Sequence, residues 1–178
     1  MKSKCFWAVL LALVGIAAYG ASTSLAPAAM ADQPDRIVLP GIDQVDPPGV
    51  DCPATLAPDG VRNRNLGPTS VLRIFDTGRQ LISGRHPDEI TNVATGKSVD
   101  LQLQGSADFV PQADGSADGQ LSGTTAFTFL PGDVGPGDQT TGRTYVFTGD
   151  VRLVFDASGA VVAFSSTGTM GDVCAMIA

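Results

Sequence analysis

Apolar and polar residues alternate one for one over two stretches of this chain. In SVDLQLQ (98–104), Val99, Leu101 and Leu103 alternate with Ser98, Asp100, Gln102 and Gln104. That is the period of a strand with one buried and one wet face. In RTYVFTGDVRLVFD (143–156), Tyr145, Phe147, Val151, Leu153 and Phe155 take one parity, while Thr144, Thr148, Asp150, Arg152 and Asp156 take the other. A strand that long has to bend, and Gly149 is where a bend or bulge is expected. The turn ASG (157–159) leads into AVVAFSSTGTM, in which Val162, Phe164 and Met170 share parity, so the two runs read as a hairpin. QLSGTTAFTFL (120–130) places Leu121, Phe127 and Phe129 on one face, with a Thr-rich face opposite.

Shorter strand candidates fall at 71–75, 79–83, 89–93 and 107–111. Almost nowhere does the three-to-four spacing of an amphipathic helix occur. About eight strands at intervals of roughly 8 to 12 residues are the pattern of an all-β sandwich or barrel. Because the connections are short, an antiparallel meander closed as a small β-barrel is the first expectation, with a β-sandwich as the alternative.

The N-terminus reads differently. Lys2 and Lys4 precede an apolar stretch at 6–19, and Ala29-Met30-Ala31 supplies small residues for a cut before Asp32. This predicts a secretory signal peptide over 1–31, with an earlier cut after Gly20 as a variant. Cys5 sits in the charged start rather than after the apolar run, which argues against a lipid anchor. No later stretch approaches the roughly 20 apolar residues that a membrane helix needs, so no membrane association is expected after cleavage.

Removing residues 1–31 from 178 leaves 147, enough for one domain with a core. Residues 32–68 hold seven prolines (34, 40, 47, 48, 53, 58 and 68) with no regular apolar period, and an irregular leader is expected there, followed by a single β domain over 69–178. The two cysteines of the exported part, Cys52 and Cys174, have only each other to pair with, so an oxidising exterior predicts a disulfide. Such a bridge brings the two ends of the domain together, as a meander that curls back on itself would.

Charge narrows the partners. After cleavage 9 Lys and Arg face 18 Asp and Glu, a net charge of −9. Such a chain repels phosphates, which excludes nucleic acid and anionic membrane as natural partners. An unknown extracellular ligand or protein is the partner class left.

Four features could carry chemistry. Pro-Gly-Asp occurs at 131–133 and again at 136–138, and Pro-Gly suits the central positions of a type II turn. Two such turns make a compact connector, and Asp133 and Asp138 could together approach a cation, although neither calcium-loop spacing is matched. ADGSADGQ (113–120) reads as turn material between strands. SGRHPDEI (83–90) holds the chain's one His, His86, beside Arg85, Asp88 and Glu89. A His with a carboxylate can act as a general base, but no Gly-x-Ser-x-Gly supplies a nucleophile, and a solvated loop histidine is the plainer expectation. Finally, Arg62, Arg64, Arg73, Arg79 and Arg85 cluster between 62 and 86 against Asp76 alone. They could receive an acidic ligand, or pair with the chain's own surplus carboxylates across neighbouring strands.

No metal site is expected, since a single His with no His-Glu-x-x-His is poor material for zinc, and nothing implies a cofactor. Without Trp7 and Tyr19, one Tyr and seven Phe remain in the exported part. A sugar-stacking platform lacks material.

TNVATGKSVDLQLQG, FLPGDVGPGD, TTGRTYVFTGDVRLVFD and the terminal GDVC resemble a group of small secreted β-rich proteins common in actinobacteria, over residues 69–178. The resemblance implies export and an all-β domain, and assigns no residue a role. The sequence therefore points to a secreted, disulfide-closed β domain that works as a noncatalytic binding or interaction module. The alternative is a small barrel enzyme using Arg, His86 and Asp groups at one mouth, which requires those groups to converge.

Overall fold

The alternating runs become one antiparallel sheet. The computed structural model describes residues 33–66, 70–137 and 139–178. The expected signal segment, residues 67–69 and Asp138 lie outside the described residues. Ten strands follow in order: β1 (Asp35–Val38), β2 (Asp43–Asp46), β3 (Val61–Asn65), β4 (Val71–Ile74), β5 (Gln80–Asn92), β6 (Ser98–Pro111), β7 (Ala117–Phe129), β8 (Arg143–Phe155), β9 (Val161–Ser166) and β10 (Thr169–Asp172). Among the described residues one short helix, α1 (Val173–Met176), follows the strands, with the Asp172 side chain accepting from the Ala175 N–H as its cap.

Four long strands, β5 to β8, form the meander at the centre. Each outer member is flanked by two short strands end to end. β4 pairs with Gln80–Ser83 of β5 and β3 with Asp88–Asn92. On the far side β10 pairs with Tyr145–Thr148 of β8 and β9 with Val151–Phe155. Pro87 explains the first division. It has no N–H to donate, and its carbonyl accepts from Leu66 N–H at 2.7 Å, so its missing donor faces the gap between β4 and β3. Gly149, at φ +134°, stands at the second division, where the alternation predicts the bend.

The sheet is open. Among the described residues neither β1 nor β2 pairs with β9 or β10, so the expected barrel is overturned. Closure fails because the β6–β7 ladder runs only from Gln104↔Thr124 to Pro111↔Ala117. Beyond it residues 98–103 and 125–129 part, and the sheet divides into two leaves. Between them sits a core of Val61, Ile90, Leu101 and Leu103 with Val173 and Ile177, against which Ala126 of β7 and Val146 of β8 pack. Helix α1 packs against both β6 and β8. Burying each such aliphatic side chain contributes about 1.5–3 kcal/mol.

Cys52 and Cys174 form the expected disulfide within this core, with Cα atoms 5.5 Å apart and exposures of 1% and 0%. It does not join the first strand to the last, however. It ties the turn after β2 to α1, and this replaces strand closure as the way the chain ends meet.

The second core is aromatic. Phe129, fully buried, meets Phe127, Tyr145, Phe147 and Phe164 with ring centroids 4.9 to 6.5 Å apart. The hairpin β8–β9 carries a bulge, since Val154 faces Ala163 but Phe155 faces Val161. Val161 is therefore the buried member and Val162 is 48% exposed, against the parity read from the sequence.

The Pro-rich segment 32–68, expected to be irregular, holds three strands, and the compact unit runs from Pro34 to Ala178. Pro34 precedes β1, Pro40 follows it, and Pro47 and Pro48 follow β2. The prolines punctuate short edge strands rather than forbid them. No helix among the described residues is long and apolar enough to cross a membrane.

Candidate functional site

A row of glycines crosses the sheet beside one of its hollows. Gly84 of β5 stands opposite Gly105 of β6, Gly105 opposite Gly123 of β7, and Gly123 opposite Gly149 of β8. Four adjacent strands thus lack a side chain along one line, where a Cβ on Gly105 would collide with the Ser122 carbonyl and one on Gly123 with the Gln104 carbonyl. The line is a crease, and the two leaves diverge from it.

On the inner face the missing side chains leave a groove of about 160 Å³. Its apolar walls include Ile82, Leu103, Leu121 and Ala126, and its polar groups include Ser70, His86 and Thr125. Among the described residues the buried Thr125 hydroxyl has no hydrogen-bond partner, which is costly unless something else satisfies it. Ser70 lies over Gly84, where a Cβ would come within 2.9 Å of its Oγ, and Thr125 lies over Gly105, whose Cβ would come within 3.1 Å of its Cγ2. The glycines make room for both side chains.

His86 and Asp88 stand two residues apart on β5, so both point to the face that carries Ile82 and Ile90. The expectation of a solvated loop histidine is therefore corrected. SGRHPDEI is the middle of a strand, and the His86 side chain is 26% exposed. Its Nδ1 lies 3.0 Å from Ser70 Oγ and its Nε2 lies 3.5 Å from Asp88 Oδ2. Asp88 Oδ1 in turn accepts from Asn65 Nδ2 at 3.0 Å. Burial pushes the Asp88 carboxyl above its usual range, while His86 and the Asn65 amide pull in the other direction. A serine, an imidazole, a carboxylate and an amide are thus chained from the groove wall outward along β5 and β3.

The arginines do not join this constellation. They take the opposite parity and stand on the outer face. Arg62 pairs with Asp43 at 2.7 Å, Arg64 with Glu89 at 2.8 Å and Arg79 with Asp108 at 2.6 Å, the last also lying over the Phe75 ring. Arg73 donates to Ser83 Oγ, and Arg85 is exposed. A wider hollow of about 540 Å³ lies on that face, bordered by Asp43, Val45, Arg62 and Val93. Its two charges already neutralise each other, whereas the crease groove carries a histidine and an unpartnered hydroxyl, which makes the groove the candidate site.

Asp133 is committed elsewhere. Its Oδ2 accepts from Leu130 N–H at 2.7 Å and its Oδ1 from Val161 N–H at 2.9 Å, pinning the Pro-Gly-Asp connector to β9. Gly132 and Gly137 have φ of +95° and +83°, as type II turns require. Asp138 lies outside the described residues. Among those described, no group of three or more His, Cys, Asp or Glu side chains could hold a metal ion.

One feature has no sequence signal. Asp51, next to Cys52, lies against Asp46 of β2, and Asn63 of β3 donates to both, at 2.6 and 2.9 Å. Burial, then the Asp46 charge and a hydrogen bond to Asp46, push the Asp51 carboxyl up to about 7. Ser70 was equally silent, because topology and not sequence spacing brings it to His86. The His-x-Asp spacing was legible, and it would have placed both groups on one face once 83–90 was read as strand.

Comparison with protein-family models, with curated proteins and with solved structures found no match to this chain. The fold and groove therefore define it only as an open, creased all-β domain with one buried disulfide.

Proposed function

We propose that this chain is exported and acts outside the cell as a binding domain, holding a small, mostly apolar ligand with one hydrogen-bonding end in the crease groove. The unpartnered, buried Thr125 hydroxyl among the groove's apolar walls carries this reading, since a ligand oxygen would relieve it. The buried disulfide and the sequence of 1–31 support an extracellular setting. Arg62, Arg64 and Arg79 face outward and already pair with carboxylates, which does not favour a strongly acidic ligand in the groove.

The test is native mass spectrometry of the protein recovered from culture medium, with a thermal-shift series using butyrate, hexanoate and hexanol. The expected outcome is a chain beginning near Asp32 that carries a small molecule, or is stabilised by one of these probes. Ala107→Phe, which fills the groove, abolishes the effect. A bare protein that none of the probes stabilises overturns the reading.

A further inference from the structure

The chain of side chains at the groove wall is more than a ligand needs. Binding would be served by Thr125 and the apolar walls alone. Ser70 Oγ, His86 and Asp88 are aligned instead as hydroxyl, base and orienting acid, with Asn65 holding the acid. We propose that Ser70 is a nucleophile, activated by His86 and oriented through Asp88, that hydrolyses small carboxylic esters placed in the crease groove. This goes beyond ligand binding and does not depend on it, since a groove that retains no ligand can still turn one over.

The chemistry follows from which nitrogen holds the proton. With the ring N–H on Nε2, facing the Asp88 carboxylate, Nδ1 is an acceptor and Ser70 O–H donates to it at 3.0 Å. Nδ1 then takes the hydroxyl proton as Ser70 Oγ bonds to the ester carbon. The imidazolium returns that proton to the departing alkoxide as the carbon–oxygen bond breaks, releasing the alcohol and leaving an acyl-serine. Water repeats the sequence: it gives a proton to Nδ1, attacks the acyl carbon and releases the acid, and the proton goes back to Ser70 Oγ. Atoms balance with water as the only co-reactant. Asp88 and Asn65 are positioning residues, acting through the imidazole.

Thr125 completes the site. Ser70 and Thr125 lie over Gly84 and Gly105, which are register partners on adjacent strands. One strand spacing, about 5 Å, separates such positions. Ser70 and Thr125 line the same groove, and the Thr125 hydroxyl, buried and without a partner among the described residues, is the donor proposed for the oxygen of a carbonyl bonded by Ser70. A donor waiting at the place where negative charge develops is how an enzyme stabilises a tetrahedral intermediate. The groove of about 160 Å³ suits a short acyl chain.

The full-length protein is incubated with a fluorophosphonate and its intact mass followed, with peptide mapping of any adduct. One adduct is expected, on Ser70, and Ser70→Ala removes it. His86→Gln slows labelling by about a hundredfold or more, and Asp88→Asn by about tenfold or more, with a changed pH profile that a purely structural role would not produce. Labelling of the wild type also stops at low pH while the fold persists, which keeps the test independent of how well the variants fold. A folded wild-type protein that takes no adduct, takes it on another residue, or reacts equally at low pH overturns the proposal.

Discussion

Asp46 and Asp51 are held side by side by one amide, the Asn63 Nδ2 that donates to both carboxylates. The pair joins the β2–β3 hairpin to the residue that precedes the disulfide. Around Asp51 stand Asp46 on β2, Asn63 on β3 and Thr128 on β7, and none of these carries a positive charge.

This pair makes stability depend on pH in the direction opposite to that of a salt-bridged carboxylate. Unfolded, Asp51 ionises near 3.8; folded, it keeps its proton up to about 7. Between those values the folded form binds more protons, so stability from this group is fully present below about 3.8 and is lost as pH rises to about 7. Burial shifts Asp88 in the same sense. Thermal melts from pH 4 to pH 8 should show a falling Tm, and Asp51→Asn should flatten most of the slope, gaining about 1–3 kcal/mol at pH 8. A wild-type Tm that rises over this window would refute the raised Asp51 carboxyl.

The glycine crease predicts a contrast between two identical substitutions. Gly105→Ala drives its methyl into the Ser122 carbonyl in the neighbouring strand, and backbone cannot retreat as a side chain can. A loss of about 3 kcal/mol or more is expected. Gly41→Ala meets only the Asn65 side chain at 3.8 Å, ordinary contact, and should change stability by no more than about 0.5 kcal/mol. Urea midpoints compare the two directly.

How much of this was legible in the chain depends on whether the signal was local. The faces of 98–104 and 143–156 were, because each strand buries one side, and so were the Cys52–Cys174 pairing and the turns at Gly132 and Gly137. The glycine row was not. Gly84, Gly105, Gly123 and Gly149 are scattered in sequence and align only when register is known. For the same reason the sequence offers β5 as two short candidates, 79–83 and 89–93. Its centre is polar enough to read as loop, yet β6 on one side and the β3–β4 pair on the other hold it in the sheet. The barrel failed on the point that alternation cannot encode, which is where two neighbouring strands stop pairing. The sequence also held His86 and Asp88 in plain view, but their third member, Ser70, arrives from β4's edge through long-range pairing.

The disulfide should be the main brace between the leaves. It closes a separation of 122 residues, for which loop entropy allows at most about 4–5 kcal/mol. With exposures of 1% and 0%, its sulfurs should resist reductant until the fold opens. Cys52→Ser with Cys174→Ser is expected to lower stability by about 2–4 kcal/mol in urea unfolding. Alkylation after mild reductant under native conditions should leave both sulfurs unmodified.

Asp133 gives a last test, because its two oxygens are already used. Leu130 and Val161 each donate a backbone N–H to it, so it binds the connector to β9 and has little left to offer a cation. Calcium titration should therefore give neither heat nor thermal shift. Asp133→Ala should cost about 1–3 kcal/mol, the penalty for leaving buried amides unmet, and speed hydrogen exchange at Val161 first. Asp133→Asn keeps one acceptor oxygen and should lose less. A Tm rise with calcium that Asp133→Asn removes would show instead that the carboxylate is a ligand and the connector a metal loop.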